Sequence, residues 1–139
     1  MDSDAEVNGL ASNRGKTESG MGDYEWFVRE GPRKRFIEPR VLYLLTLGPA
    51  HGYRIIDAIG NLPFPGPKPD SAAVYRALRE LEQSGFIRSR WEGGEKGPAK
   101  RVYTITPAGR KRLSLWVDSF KERVKLLEAF IRLCEKRKT

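Results

Sequence analysis

Few residues in this 139-residue chain could carry out catalysis. His51 is the one imidazole and Cys134 the one thiol. A Ser-His or Cys-His nucleophilic pair would have to use His51. That residue follows Gly48-Pro49 at the start of a helical pattern, where a histidine more often opens a helix or contacts a phosphate. One cysteine builds neither an internal disulfide nor a multi-thiolate metal site. The loop EGGEKGPAK has the glycines and lysine of a phosphate loop, but Gly93 and Gly94 are followed five positions later by Pro98 and Ala99. The GxxxxGK[ST] spacing is therefore absent. Acidic residues are scattered among basic ones rather than clustered for a cation. No enzyme, cofactor or metal centre is expected.

The basic residues point elsewhere. Arg14 and Lys16 stand against Asp2, Asp4, Glu6, Glu18 and Asp23 in residues 1–23, a net of −3, so the overall +8 requires +11 on residues 24–139. A compact domain with that excess attracts polyanions. The plain alternative is solubility, which usually needs less charge. The charged fraction of 32% exceeds the usual level of about 25%. Some segment is thus expected to stay unburied, or to be buried only in an oligomer.

Several elements must position these groups. Residues 1–23 are rich in Ser, Gly, Asn and acid and read as a disordered segment. They lack the apolar stretch of a signal peptide, and no apolar run is long enough to span a membrane. The chain reads as cytoplasmic. Denser sequence follows Met21, which makes Met21 a candidate translation start. Order is expected from about Trp26 and Phe27, with Gly31 to Arg35 a short basic arm. Val41, Leu42, Leu44, Leu45 and Leu47 mark a buried short helix that Gly48-Pro49 ends. A second helix runs from about His51 to Ile59 with Ile55, Ile56 and Ile59 on one face, and Gly60 stops it. Prolines at 63, 65, 67 and 69 then hold a stiff extended loop.

Asp70 or Ser71 caps a third helix whose Val74, Ala77, Leu78 and Leu81 form a buried stripe, with Gly85 past its end. Ala72, Arg76, Arg79 and Gln83 face the other way, with Tyr75 on the border. FIRSRW and RVYTIT read as two strands of an antiparallel hairpin with a basic tip. Thr106-Pro107 caps a last helix to about Arg137, about 45 Å long at 1.5 Å per residue.

Helix, helix, helix, basic hairpin and long helix describe a winged helix-turn-helix: mostly α, with a two-stranded β-wing. Its expected parts are the N-terminal segment 1–23, a DNA-binding domain 24–106 and a C-terminal dimerisation helix 107–139. The third helix suits a major groove. Ala72 and Ala73 allow close approach, Arg76 can fork onto guanine or phosphate, and the Tyr75 hydroxyl can reach a phosphate. Arg79 is the weaker candidate, since base contacts come mainly from the N-terminal part of a recognition helix. The hairpin, with Lys96, Lys100 and Arg101, can follow the adjacent backbone or minor groove. The alternatives are partial burial of Tyr75 beside Leu78, intrahelical pairing of Arg76 with Glu80 and of Arg79 with Glu82, and a merely solvated wing.

In the last helix Leu113, Val117, Phe120, Val124, Leu127, Ile131 and Cys134 recur at spacings of four and three, with Trp116 and Phe130 widening the stripe. β-Branched residues at one heptad position and mainly leucine at the other favour a two-stranded partner. Cys134 reads as a small apolar filler of that seam.

The segments GPAHGYRIIDAI, SAAVYRALRELEQSGFI and SRWEGGEKGPAKRVYTITPAGRKRL together resemble the PadR family of bacterial transcription regulators, over roughly residues 36–130. The resemblance implies a homodimeric winged-helix protein that binds double-stranded DNA, usually as a repressor. It also implies DNA contacts at His51, Tyr53, Ser71, Tyr75 and Arg76 and at Lys96, Lys100 and Arg101 of the wing. Some members bind planar aromatic compounds between the C-terminal helices, where Trp116 and Phe120 could wall a pocket. The plainer reading makes both residues dimer core. Ala72-Ala73 stand where the family commonly has Gly-Thr, and Arg76 where it often has Pro, so base preference should not follow a generic family operator. The competing reading is a ligand-dependent winged helix that binds a protein partner. An RNA-binding winged helix lacks the exposed aromatic platform that single strands need.

Overall fold

A computed structural model describes residues 36–95 and 97–138. The acidic N-terminal segment, the expected start of order at Trp26 and Phe27, the arm at 31–35 and Lys96 lie outside the described residues. The chain forms α1 (Ile37–Thr46), β1 (Ala50–His51), α2 (Gly52–Ile59), α3 (Ser71–Gln83), β2 (Ile87–Glu92), β3 (Lys100–Ile105) and α4 (Pro107–Lys138). Described residues up to 113 belong to one compact unit and those from 114 onward to a second.

The first unit is built on one apolar core. Ile37, Val41, Leu42 and Leu45 of α1, Ile55 and Ile59 of α2, and Val74, Leu78 and Leu81 of α3 are buried together with Ile87 and Val102 of the sheet. Each such side chain contributes about 1.5–3 kcal/mol relative to exposure. Ala73 is buried with them, so only Ala72 of the alanine pair offers the close approach expected of both.

Helix ends follow local chemistry. The Asp70 carboxylate accepts a 2.8 Å hydrogen bond from the Ala73 N–H and caps α3. At the other end the Gly85 N–H donates to Glu82 O and the Phe86 N–H to Leu81 O, with Gly85 at φ 82°. This is a Schellman stop, and a side chain there would be strained. Gly60 ends α2 without left-handed geometry, at φ −71°. A Cβ at Gly60 would meet the exposed Lys68 side chain at 2.7 Å, a contact that the flexible lysine can relieve by shifting.

Both predicted strands form, paired from Ile87↔Ile105 to Glu92↔Lys100. A third, two-residue strand joins them: Ala50 pairs with Tyr103 and His51 with Val102, giving the order β1-β3-β2. The hairpin is thereby fastened to the start of α2.

Thr106 ties the start of α4 to the turn after α3. Its hydroxyl donates to Gly85 O at 2.7 Å and accepts from the Gly109 N–H at 3.0 Å. Gly109 is needed because a side chain there would run into the Phe86 carbonyl. The Arg112 guanidinium donates to both Glu38 oxygens, at 2.6 and 3.3 Å, and its Cζ lies 5.0 Å from the Phe86 ring centroid. These contacts bring the first turns of α4 into the first unit.

In the second unit, Trp116 is fully buried with its ring 5.5 Å from that of Phe120. Val117, Val124, Leu126, Leu127, Phe130, Ile131 and Leu133 are exposed, as is Cys134. The predicted seam is therefore uncovered in one chain from Val124 onward and at Val117, while Leu113 and Phe120 are half-buried. No helix among the described residues is long and apolar enough to cross a membrane.

Candidate nucleic-acid interface

Because Val74, Leu78 and Leu81 are buried, the opposite side of α3 faces outward. Ser71, Ala72, Tyr75, Arg76 and Arg79 are all exposed along it. Arg76 and Arg79 make no salt bridge or hydrogen bond among the described residues. The intrahelical pairs that Glu80 and Glu82 could have offered do not form. Glu82 instead accepts a 2.7 Å hydrogen bond from the Ser89 hydroxyl of β2. Two guanidinium groups are thus left available to an outside acceptor.

Tyr75 is 43% exposed and borders α2. A Cβ on Gly52 would lie 2.9 Å from its Cε1 and 3.2 Å from its hydroxyl. The glycine of the HGY segment therefore makes room for the tyrosine of the next helix.

The residues flanking that glycine meet the wing. The His51 and Tyr53 rings stack with centroids 5.6 Å apart, and the Lys100 ammonium sits 5.2 Å from the Tyr53 ring centroid. His51 Nε2 lies 3.8 Å from a Glu92 carboxylate oxygen, and the other Glu92 oxygen accepts from Arg90 at 2.7 Å. His51, Glu92 and Lys100 line an open groove of about 750 Å³ with Gly93, Gly94 and Pro98. Tyr53, His51 and Lys100, grouped only by resemblance in the sequence, form one surface.

Arg101 is separate from that surface. Strand alternation places it with Trp91, Ser89 and Tyr103, on the opposite side of the sheet from Lys100. Its Nε donates to the Ser89 hydroxyl at 2.8 Å, and its Cζ stands 5.0 Å from the centroid of the exposed Trp91 ring. Trp91 and Ser89 were not singled out from sequence, and Glu82 only as an intrahelical partner for Arg79. The signal was present in the strand register, which pairs Trp91 with Arg101 and Ser89 with Tyr103. Beside them Tyr103 has its pKa raised, chiefly by burial and further by Glu82 and Tyr75, with Arg101 and Arg79 pulling the other way.

On α4, Trp116 is buried and Phe120 is half-buried, with ring centroids 5.5 Å apart. No group of three or more metal-ligating side chains that could hold an ion occurs among the described residues.

Residues 41–115 match the Transcriptional regulator PadR-like family. The chain belongs to this family. It is a family of transcriptional regulators and not of enzymes, which agrees with the missing catalytic inventory. Among curated proteins, the Transcriptional regulator YqjI of Escherichia coli is 30% identical over 107 residues, covering 73% of this chain and 48% of that protein. The chain thus spans about half the length of the curated relatives it matches. A transcriptional regulator from Clostridium thermocellum superposes with a TM-score of 0.60 at 26% identity, covering 68% of this chain and 89% of the other. Bacillus subtilis PadR, in a crystal structure in complex with operator DNA, gives a TM-score of 0.52 at 26% identity, covering 60% of this PadR-like chain and 47% of that one.

Proposed function

We propose that this PadR-like chain is a homodimeric, sequence-specific DNA-binding repressor acting in the cytoplasm. The observation that carries the reading is the exposed face of α3, where Arg76 and Arg79 lack acidic partners among the described residues and Tyr75 stands between them and α2. A cation held without an internal counter-ion is available to a phosphate or a guanine edge. Bacillus subtilis PadR bound to operator DNA supports the same assignment at the level of the family. Ser71, Ala72, Tyr75 and Arg76 meet the groove in this reading, while His51, Tyr53, Lys96 and Lys100 follow the backbone. Arg101 acts mainly by holding the wing through Ser89 and Trp91. The exposed stripe of Val117, Val124, Leu127 and Ile131 supports pairing with a second copy. Two α3 helices roughly 34–36 Å apart would then read a near-palindromic site.

Fluorescence anisotropy on a labelled duplex from the gene's own upstream region tests this reading, with excess random duplex across several salt concentrations. Binding that survives the competitor and falls steeply with salt is expected. No binding at low salt would favour the protein-partner reading.

A further inference from the structure

A second basic feature lies away from the wing. An open cleft of about 620 Å³ is bounded by the first turn of α1, the proline-rich loop before α3, and the first turn of α3. Arg40 lines it and is only 8% exposed. Its Nε donates to Phe36 O at 2.8 Å, and its guanidinium carbon sits 4.8 Å from the Phe64 ring centroid. No carboxylate among the described residues pairs with it, and its terminal nitrogens make no hydrogen bond there.

That arrangement is costly. Buried charges are ordinarily paired, and arginine does not escape the cost by losing its proton. Burial lowers the Arg40 pKa with no acid to counter it. Lys68 and Arg76 line the same cleft, also without acidic partners among the described residues. The Lys68 stem is laid across Gly60, the position where a Cβ would collide with it. Pro65, Pro67 and Pro69 stiffen the loop that presents Lys68, so the cleft is preformed. The one carboxylate in the lining, Asp70, is already engaged on the Ala73 N–H. Three cations to one capped carboxylate, beside apolar walls from Phe36, Ile37 and the prolines, suit a phosphate group carried on an organic body.

We propose that this cleft is an oxyanion site in which Arg40 and Lys68 hold a phosphate group. The phosphate belongs either to a free phosphorylated compound or to a DNA backbone running past α3. The inference is independent of the DNA-binding reading, because its first test contains no DNA.

Inorganic phosphate is titrated into the full-length protein and compared with sodium chloride at matched ionic strength, following the Arg40 Nε–H and Ala73 amide resonances. A saturable shift specific to phosphate is expected, abolished in Arg40→Met and about tenfold weaker in Lys68→Ala, the effect of one lost charge-assisted contact. Lys68→Ala lies on an exposed loop and keeps the test decisive should Arg40→Met fail to fold. Shifts that chloride reproduces, or that Lys68→Ala leaves unchanged, overturn the proposal. A duplex titration at saturating phosphate then separates the sources. Competition at constant ionic strength identifies a backbone phosphate, whereas simultaneous binding identifies a free phosphorylated compound.

Discussion

Tyr75 of α3 lies across Gly52 of α2 so closely that one methyl group on Gly52 would meet its Cε1 at 2.9 Å. Two helices of the helix-turn-helix are thereby fitted to each other at a point on the proposed DNA surface. Position 52 is the first residue of α2, where the helix-interior preference for alanine over glycine is largely absent, and the half-exposed tyrosine can swing aside. Gly52→Ala is therefore expected to leave thermal stability nearly unchanged while weakening duplex binding about tenfold, since a side chain displaced from its fitted position costs on the order of 1.4 kcal/mol. A double-mutant cycle with Tyr75→Ala checks this. Equal losses with and without the Tyr75 ring would rule out the coupling.

Arg76 and Lys100 are expected to fail differently. Arg76→Ala should cost about 1–3 kcal/mol on the specific duplex and relax preference at one base position. Lys100→Ala should weaken specific and random duplexes alike and reduce the salt slope by about one. Equal losses for Arg76→Ala on both duplexes would remove Arg76 from base readout.

The pair Arg112–Glu38 joins the first turns of α4 to α1 with a 2.6 Å contact between side chains that are mostly buried. Removing one partner of such a pair leaves the other charged and poorly solvated. Glu38→Gln should lower the unfolding free energy by about 3 kcal/mol, at the low end for a broken buried pair. Urea denaturation measures it. A loss within experimental error would show that solvent already screens the pair.

How much of this could be read in the chain depended on the range of the interaction. The Asp70 cap, the Gly85 stop and Thr106-Pro107 were legible because each is settled within a few residues. Strand β1 was not, since two residues become a strand only through pairing with Val102 and Tyr103 about fifty positions later. The same holds for Arg101: its place in the sequence beside Lys100 hid the alternation that puts the two on opposite sides of the sheet. Periodicity correctly marked an apolar stripe on α4 but could not say that Trp116 is covered by its own chain. Arg40 was passed over because a charged residue in a short helix reads as solvated, whereas in the fold it is buried, bonded to the Phe36 carbonyl and set against the Phe64 ring.

Tyr103 supplies a pH test of the packing between α3 and the wing. Burial raises its pKa above the ordinary 10.0, so the folded state holds the phenolic proton more tightly than the unfolded chain does. The resulting stability is fully present below about pH 10 and is lost as pH rises through the higher folded value. Wild-type unfolding free energy should therefore fall as pH rises above about 10, and Tyr103→Phe should fall less. Parallel curves for the two proteins would mean that Tyr103 ionises as freely in the fold as out of it.

The uncovered stripe on α4 gives the last prediction. Val124, Leu127 and Ile131 are each more than half exposed in a single chain, and a contiguous apolar face of this kind marks an interaction surface. If a second copy covers it, a carboxylate placed at its centre must be buried unpaired on association, a cost of several kcal/mol. Leu127→Glu is accordingly expected to yield monomers in sedimentation equilibrium at concentrations where the wild type is dimeric. Its secondary structure should be retained, because Leu127 is exposed in the single chain. Specific duplex binding should fall with it, since two half-sites held by one dimer act at high effective concentration and separate monomers do not. A wild type that sediments as a monomer, or a Leu127→Glu variant that remains dimeric, would place the dimer contact elsewhere or dispense with it.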